Sequence, residues 1–309
     1  MALDRPDPSR HPVRPPRLYQ EKTMPLSFTP LTPVFGARVT GVDLSQPMTD
    51  ALFTEIRAAF DEHLVLIFSG PIMNDERQVD FSKRFGPLEG TRGVNPGSGT
   101  PFARQSNLDI KSGGVIPADD RRMFYQKANM MWHSDSTFKE TPSLCSVLTA
   151  RIVPPEGGAT ELASTRAAYD SLSDSDKAAY EDLIIEHDFE YSRGLVGFKF
   201  SAKELETMAP VRHKLVRTNK GNGRKSVMIG VHAKSVVGWP YEKGRALLED
   251  LLDRATRPEN TYRHEWREGD VMVWDNQGAV HRATEFDTNQ HQRFMQRTTI
   301  SAGIPNVPV

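Results

Sequence analysis

Strand-like segments fall into separated blocks of this chain, and that distribution constrains the fold more than any other feature. One block surrounds the middle. Leu144–Val153 alternates as a strand, Pro154-Pro155-Glu156-Gly157-Gly158 stops it, and Ala159-Thr160-Glu161-Leu162 starts another. The other is C-terminal: Tyr262–Trp266, a turn at Glu268-Gly269-Asp270, Val271–Trp274 and Phe294–Ile300. Shorter strands are expected around Phe35–Leu44, Leu64–Phe68, Ile184–Tyr191 and Ser226–Val231. Helices lie before or between the blocks. Thr49 caps a helix to about His63, with Leu52, Ile56, Ala59 and Phe60 on one face. Asn74 caps Asp75–Phe85, ended by Gly86-Pro87. Ser173 with Asp176 opens a helix through Leu183, and Glu242–Ala255 carries Leu247, Leu248, Leu251 and Leu252 at core spacing. Residues 88–120, dense in Gly and Pro, read as one long loop beside a binding site, and 193–224 give no assignable pattern. Strand and helix do not alternate regularly, as a parallel sheet would require. The expectation is a mainly β core with flanking helices, a sandwich or jelly roll.

Composition excludes several function classes. The 309 residues are 38% hydrophobic and 26% charged, with a net charge of −1, so no basic excess points to nucleic acid. No apolar run approaches the roughly 20 residues of a membrane span. The single cysteine, Cys145, cannot form an intrachain disulfide, which fits a cytoplasmic setting. Residues 1–23, rich in Pro, Arg and Asp, are expected to be a mobile extension.

The chemistry starts at Trp132-His133-Ser134-Asp135-Ser136. In an extended segment residues two apart point the same way, so His133 and Asp135 would converge. An imidazole and a carboxylate are two members of the 2-His-1-carboxylate triad that binds non-haem Fe(II) with open positions. Alone, H-x-D recurs by chance. A second stretch adds weight: Val271–Trp274 enters a polar turn at Asp275-Asn276, and the chain then presents His281. Beyond it, Arg293, Met295 and Arg297 share one strand face, with Phe294 and Gln296 on the other. Two guanidiniums on one face near a metal ligand suit carboxylate binding, because the planar fork matches a carboxylate in bidentate fashion.

Taken in order, six motifs resemble the taurine/2,4-dichlorophenoxyacetate dioxygenase family of Fe(II)- and 2-oxoglutarate-dependent oxygenases. They are Gly36–Leu44, Arg84-Phe85-Gly86-Pro87-Leu88, Trp132–Phe138, Gly157-Gly158-Ala159-Thr160, Trp274-Asp275-Asn276 with His281-Arg282-Ala283, and Arg293 with Arg297-Thr298-Thr299. The resemblance spans Leu26 to Ala302 and implies one catalytic domain over 24–309, with the double-stranded β-helix (clavaminate-synthase-like jelly roll) of that family. It implies His133, Asp135 and His281 as iron ligands, and Thr160 with Arg293 on the distal carboxylate of 2-oxoglutarate. Trp274 would wall the co-substrate pocket, Arg297 would meet an acidic group on the substrate, and Asn129 would sit on the substrate side. The implied cofactor is Fe(II), with 2-oxoglutarate and O2 as co-substrates consumed to give succinate, CO2 and a hydroxylated product. The implied partner is a small anionic substrate, with no nucleic acid and no membrane, in a homo-oligomer.

Substrate identity follows less directly. An Arg at 297 favours a carboxylate or sulfonate. No histidine occurs in 88–128, where the taurine enzyme uses one, and the step from His281 to Arg297 is closer to the phenoxyacetate type. Met123, Phe124, Met130 and Met131 would give an adaptable apolar wall for an aryl group. The first expectation is therefore an aryloxyalkanoate, cleaved at its ether to a phenol. Alkyl sulfonates or sulfate esters are the alternative, and an inactive jelly-roll binding protein is the alternative of another class. His63, His187, His213, His232, His264 and His291 are expected to be structural or surface residues, His232 being the one that could line the pocket.

Overall fold

The computed structural model describes residues 25–91, 95, 97–109 and 112–303; the extension expected over 1–23 lies outside them. Its framework is a seven-stranded sheet. In spatial order the strands are Ser27–Pro30, Ala37–Thr40, Val65–Phe68, Val271–Asp275, Ser143–Ile152, Phe294–Ser301 and Phe102–Ser106. A three-stranded sheet, ordered Thr261–His264, Thr160–Ser164 and Ala279–Ala283, faces it. The two sheets make the jelly-roll core expected from the strand distribution.

Parity along the strands builds the layers. Val271 and Val273 join Leu66, Phe68, Val147, Ile56 and Phe60 in a core under the helices Asp50–His63 and Asp75–Lys83. Met272 and Trp274 point the other way and meet Leu148, Leu162 and Met295 between the sheets. On the outer side of the small sheet, Ala163 and Val280 pack with Leu247, Leu248 and Leu251 of the helix Tyr241–Ala255. Strands buried on both faces carry nearly continuous apolar runs, which is why Val65–Phe68 reads as a run rather than an alternation.

Local chemistry sets most helix starts. The Thr49 hydroxyl accepts from Leu52 N, the Asn74 amide oxygen from Arg77 N, and the Ser173 hydroxyl from Asp176 N. The Ser173-capped helix ends at Tyr180, before Leu183. Three expectations need larger correction. The long loop contains an edge strand, Phe102–Ser106, paired with Phe294–Thr298; only Phe102, Ala103 and Ser106 are buried, so no alternation advertises it. The extended segment from Ile184 stops at His187, where the Asp188 carboxylate accepts from Tyr191 N and caps the helix Phe189–Gly194. The strand expected over Ser226–Val231 covers only Lys225–Val227. Among the described residues no helix is long and apolar enough to cross a membrane.

Candidate metal and co-substrate site

The site lies between the two sheets, where strand parity turns polar side chains inward. His281 sits in mid-strand of Ala279–Ala283, not in the polar turn, which ends at Gly278. Val280 faces the outer core, so His281 faces inward. His133 pairs with it as an isolated antiparallel bridge: His133 N donates to His281 O at 3.0 Å and His281 N to His133 O at 2.8 Å. Asp135 is not on an extended strand. The chain turns there, and Ser136 takes φ 56, a left-handed conformation that non-glycine residues adopt rarely. The pair still converges with His281. The three ligand atoms lie within 4.8 Å of one another, and all three residues are buried.

Neighbouring groups fix each donor. His133 Nδ1 lies 2.8 Å from Met131 O. A carbonyl can only accept, so Nδ1 carries the proton and Nε2 keeps its lone pair for a metal. Burial, opposed by Asp135 and this bond, pushes the His133 pKa down to about 4, and burial with His133 holds His281 well below the ordinary value. Both rings are therefore neutral near pH 7, the form that ligates. Asp135 Oδ2 accepts from Ser146 Oγ at 2.7 Å and Oδ1 from Arg297 Nη1 at 2.5 Å. Burial alone would raise its carboxyl, but Arg297, the two imidazoles and Ser146 outweigh burial and hold it at about 2. His281 Nδ1 is buried without a hydrogen-bond partner among the described residues. Two neutral imidazoles and a deprotonated carboxylate at one buried point fit a divalent metal of the Fe(II) type.

Asn276 ties this corner together. Its Oδ1 accepts from Trp274 Nε1 at 2.9 Å and from Asp135 N at 3.2 Å, while its Nδ2 donates to Ser146 Oγ at 3.0 Å. Ser134, turned away from the triad, donates from Oγ to Asn276 O. The Trp274 ring lies 4.6 Å from His281, so Trp274 braces that imidazole. Sequence reasoning assigned no role to Ser146 or Asn276. The Trp274-Asp275-Asn276 motif held a signal for one of them; Ser146 carried none.

The second corner holds the residues expected to bind 2-oxoglutarate. Thr160 pairs across from Ala283, and Leu162 across from His281, so Thr160 shares the inward face with His281. Thr160 Oγ1 accepts from Trp266 Nε1 at 2.9 Å, which leaves the hydroxyl hydrogen for another acceptor. Arg293 is 7% exposed. Its Nη2 donates to Gly158 O, two residues before Thr160, and its Nη1 to Gln105 O, both at 3.2 Å. Its Nε has no partner among the described residues, and burial lowers its pKa to about 10. Gly158 has φ 66, and a Cβ there would lie 3.1 Å from Arg293 Nε, so glycine permits this approach. Asn129, in the short 3-10 helix Lys127–Met130, donates from Nδ2 to Gln105 Oε1 at 2.8 Å. Gln105, on the unforeseen edge strand, thus links Asn129 to Arg293.

The remaining histidines are mostly structural. His264 pairs with Asp270 at 3.0 Å. His187 and His213 meet edge-on with ring centroids 5.3 Å apart, both buried. Burial, reinforced by Arg217, lowers His213 to about 4, and burial holds His187 well below the ordinary value. Between the ordinary value near 6.5 and about 4, the unfolded chain takes up protons that the folded chain refuses. Stability therefore rises with pH across that window and is lost as pH falls through it. Denaturant melts of metal-free protein should show a loss on the order of 1 kcal/mol per ring at pH 5.5 relative to pH 7.5, with a shallower pH dependence in His213→Gln. Identical melts at the two values contradict this.

Comparison with known proteins agrees with the geometry. A family model described as taurine catabolism dioxygenase TauD, TfdA family matches residues 27–299. An alpha-ketoglutarate-dependent 2,4-dichlorophenoxyacetate dioxygenase of Cupriavidus pinatubonensis is 37% identical over 287 residues, covering 91% of this chain and 100% of the relative. An (S)-phenoxypropionate/alpha-ketoglutarate-dioxygenase of Sphingobium herbicidovorans is 35% identical, covering 90% and 95%. A crystal structure described as AAD-2 in complex with Mn(II) and N-oxalylglycine superposes with a TM-score of 0.84 at 38% identity, covering 93% of this chain and 100% of that one.

Proposed function

The chain belongs to the TauD/TfdA family, and from that membership we propose that it oxidises an aryloxyalkanoic acid at a centre held by His133, Asp135 and His281. It is an Fe(II)- and 2-oxoglutarate-dependent dioxygenase. Iron with 2-oxoglutarate and O2 supplies the oxidation, releasing succinate and CO2 as one oxygen atom enters a substrate C–H bond. The protein's own residues bind and orient. His133 presents Nε2, because Met131 O holds its Nδ1 proton. Ser146 and Arg297 aim the Asp135 carboxylate. Arg293 Nε and the Thr160 hydroxyl hydrogen are left to take the distal carboxylate of 2-oxoglutarate by charge-assisted bonds. Trp274 backs His281 on the co-substrate side, and Asn129, held by Gln105, is assigned to the substrate side.

The observation that favours an aryl substrate is a cluster of rings beside the triad. Phe138 stacks on Phe189 at 4.0 Å and meets His232 at 4.9 Å, and His232 meets His133 edge-on at 6.4 Å. Tyr125, Phe198 and Phe200 extend the wall. Phe124 stacks on Phe198 at 6.4 Å, whereas Met130 is 40% exposed. Hydroxylation next to an ether oxygen gives a hemiacetal that breaks to a phenol. A cytoplasmic setting fits the free buried Cys145, and a homo-oligomer is part of the same reading.

A screen for succinate release across phenoxyalkanoates, alkyl sulfonates and sulfate esters tests the proposal. Fastest turnover on phenoxyalkanoates, with equimolar phenol, is expected; preference for a sulfonate or sulfate ester overturns the substrate class. Arg297→Ala should raise KM for the acid roughly 10–100-fold and leave KM for 2-oxoglutarate within about threefold. The reverse pattern exchanges the roles of Arg293 and Arg297.

A further inference from the structure

One further buried cation acts on the triad. Arg193, in the helix Phe189–Gly194, is 5% exposed. Its guanidinium lies over Tyr125 and Phe189, 4.8 and 4.7 Å from the ring centroids, and its Nε has no hydrogen-bond partner among the described residues. Structural buried arginines in the same protein behave differently. Arg166 donates to Glu62 O at 2.9 Å and Asp61 O at 2.7 Å, and that spends its fork on backbone carbonyls. Arg193 has the Tyr125 hydroxyl instead.

Its position is tied to the metal corner. Ser192, the preceding residue, lies 2.8 Å from His232 Nδ1, and the His232 ring meets His133. The same ring meets Phe189, which lies under the Arg193 guanidinium. The charge of Arg193 acts on His133, and the charges of Arg297 and Asp135 act on Arg193. Arg297 also has a buried Nε without a partner among the described residues. Two like charges therefore act on one another beside a single carboxylate, Asp135, which Arg297 already engages. Iron and 2-oxoglutarate carry opposite charges of equal size, so their binding leaves this positive excess unchanged. An anionic substrate would offset it.

We infer that Arg193 is a substrate-binding residue whose guanidinium, with that of Arg297, holds the acid group of the substrate against the aromatic wall. The inference rests on the aryloxyalkanoate reading above and deepens it. The ring packs on Tyr125 and Phe189 while the acid lies between two forks, which sets how far the reactive carbon sits from the metal corner. A neutral analogue offers the Arg193 fork no anionic partner, while Arg297 keeps Asp135.

The test uses the full chain loaded with Fe(II) and 2-oxoglutarate, with 2,4-dichlorophenoxyacetate and its neutral amide as probes. In Arg193→Gln, KM for the acid should rise roughly 10–100-fold, KM for 2-oxoglutarate should stay within about threefold, and KM for the amide should be unchanged. Anaerobic calorimetry should show the same loss of acid affinity without turnover. Arg193→Lys keeps the charge but not the fork, and should fall between the two. An unchanged acid KM in Arg193→Gln overturns the inference, as does an equal loss for acid and amide, which marks a structural role. Should Arg193→Gln fail to fold, an unchanged acid KM in Arg193→Lys overturns it. Failure of the substrate reading shows earlier and separately, as native enzyme that turns over no aryloxyalkanoate, and that result also removes this inference.

Discussion

Asp135→Ala is expected to abolish tight Fe(II) binding and to lower kcat/KM by well over 100-fold. The carboxylate is the one charged donor of the triad, and its neighbours exist to keep it ionised and aimed: Ser146 on Oδ2, Arg297 on Oδ1, Asn276 on the backbone N–H. Residues that only orient a ligand cost roughly 10–100-fold when removed, so Ser146→Ala should lie in that range and Asp135→Ala beyond it. Thermal melts with and without Fe(II) provide an independent readout. The native chain should gain stability with metal by mass action, and Asp135→Ala should not. Equal metal-induced shifts in the two proteins would remove Asp135 from the ligand set.

Arg293→Ala is expected to weaken 2-oxoglutarate roughly 30- to 1,000-fold while leaving KM for the substrate nearly unchanged. The guanidinium is buried, and its loss leaves a carboxylate without its cation in a buried corner, worth about 2–4 kcal/mol. Arg293→Lys should recover only part, because an ammonium cannot use the fork that reaches Gly158 O and Gln105 O while offering Nε to a ligand. Thr160→Val should give a smaller loss, on the order of tenfold, since one hydroxyl hydrogen is removed. A competition assay reading KM for 2-oxoglutarate and for substrate separately distinguishes these outcomes from general damage.

The parts of the fold that the sequence revealed are those governed by local rules. Thr49, Asn74 and Ser173 cap helices because their side chains satisfy nearby backbone N–H groups, a contact fixed by neighbours in sequence. The long strands Ser143–Ile152 and Phe294–Ser301 carry enough apolar spacing to stand out. Elements governed by distant partners were hidden. Phe102–Ser106 is a strand because Phe294–Thr298 offers it a ladder, and nothing in its own residues says so. The helix holding Arg193 is short, and packing of Phe189 on Phe138 and His232 places it.

The site divides in the same way. His133, Asp135, His281, Thr160 and Arg293 could be singled out because their side-chain types suit the proposed chemistry and stand in ordered motifs, and the fold brings the first three together. The extended geometry expected for His133-Ser134-Asp135 was incorrect in detail: only His133 makes a bridge, and a turn with Ser136 at φ 56 aims Asp135. Convergence survives because Ser143 Oγ at 2.7 Å from Asp135 O, together with Asn276, pins the turn. Ser146 and Gln105 were not legible, since a serine or a glutamine in isolation signals nothing until the fold brings it beside Asp135 or Arg293.

Anaerobic absorption spectroscopy of the protein titrated with Fe(II) in the presence of 2-oxoglutarate tests the central claim most directly, without knowledge of the substrate. A weak visible charge-transfer band is predicted for the native chain at one iron per chain, absent from His133→Ala and Asp135→Ala and shifted to higher 2-oxoglutarate concentration in Arg293→Ala. A native chain that gives no band, or a band that persists unchanged in His133→Ala, would contradict it.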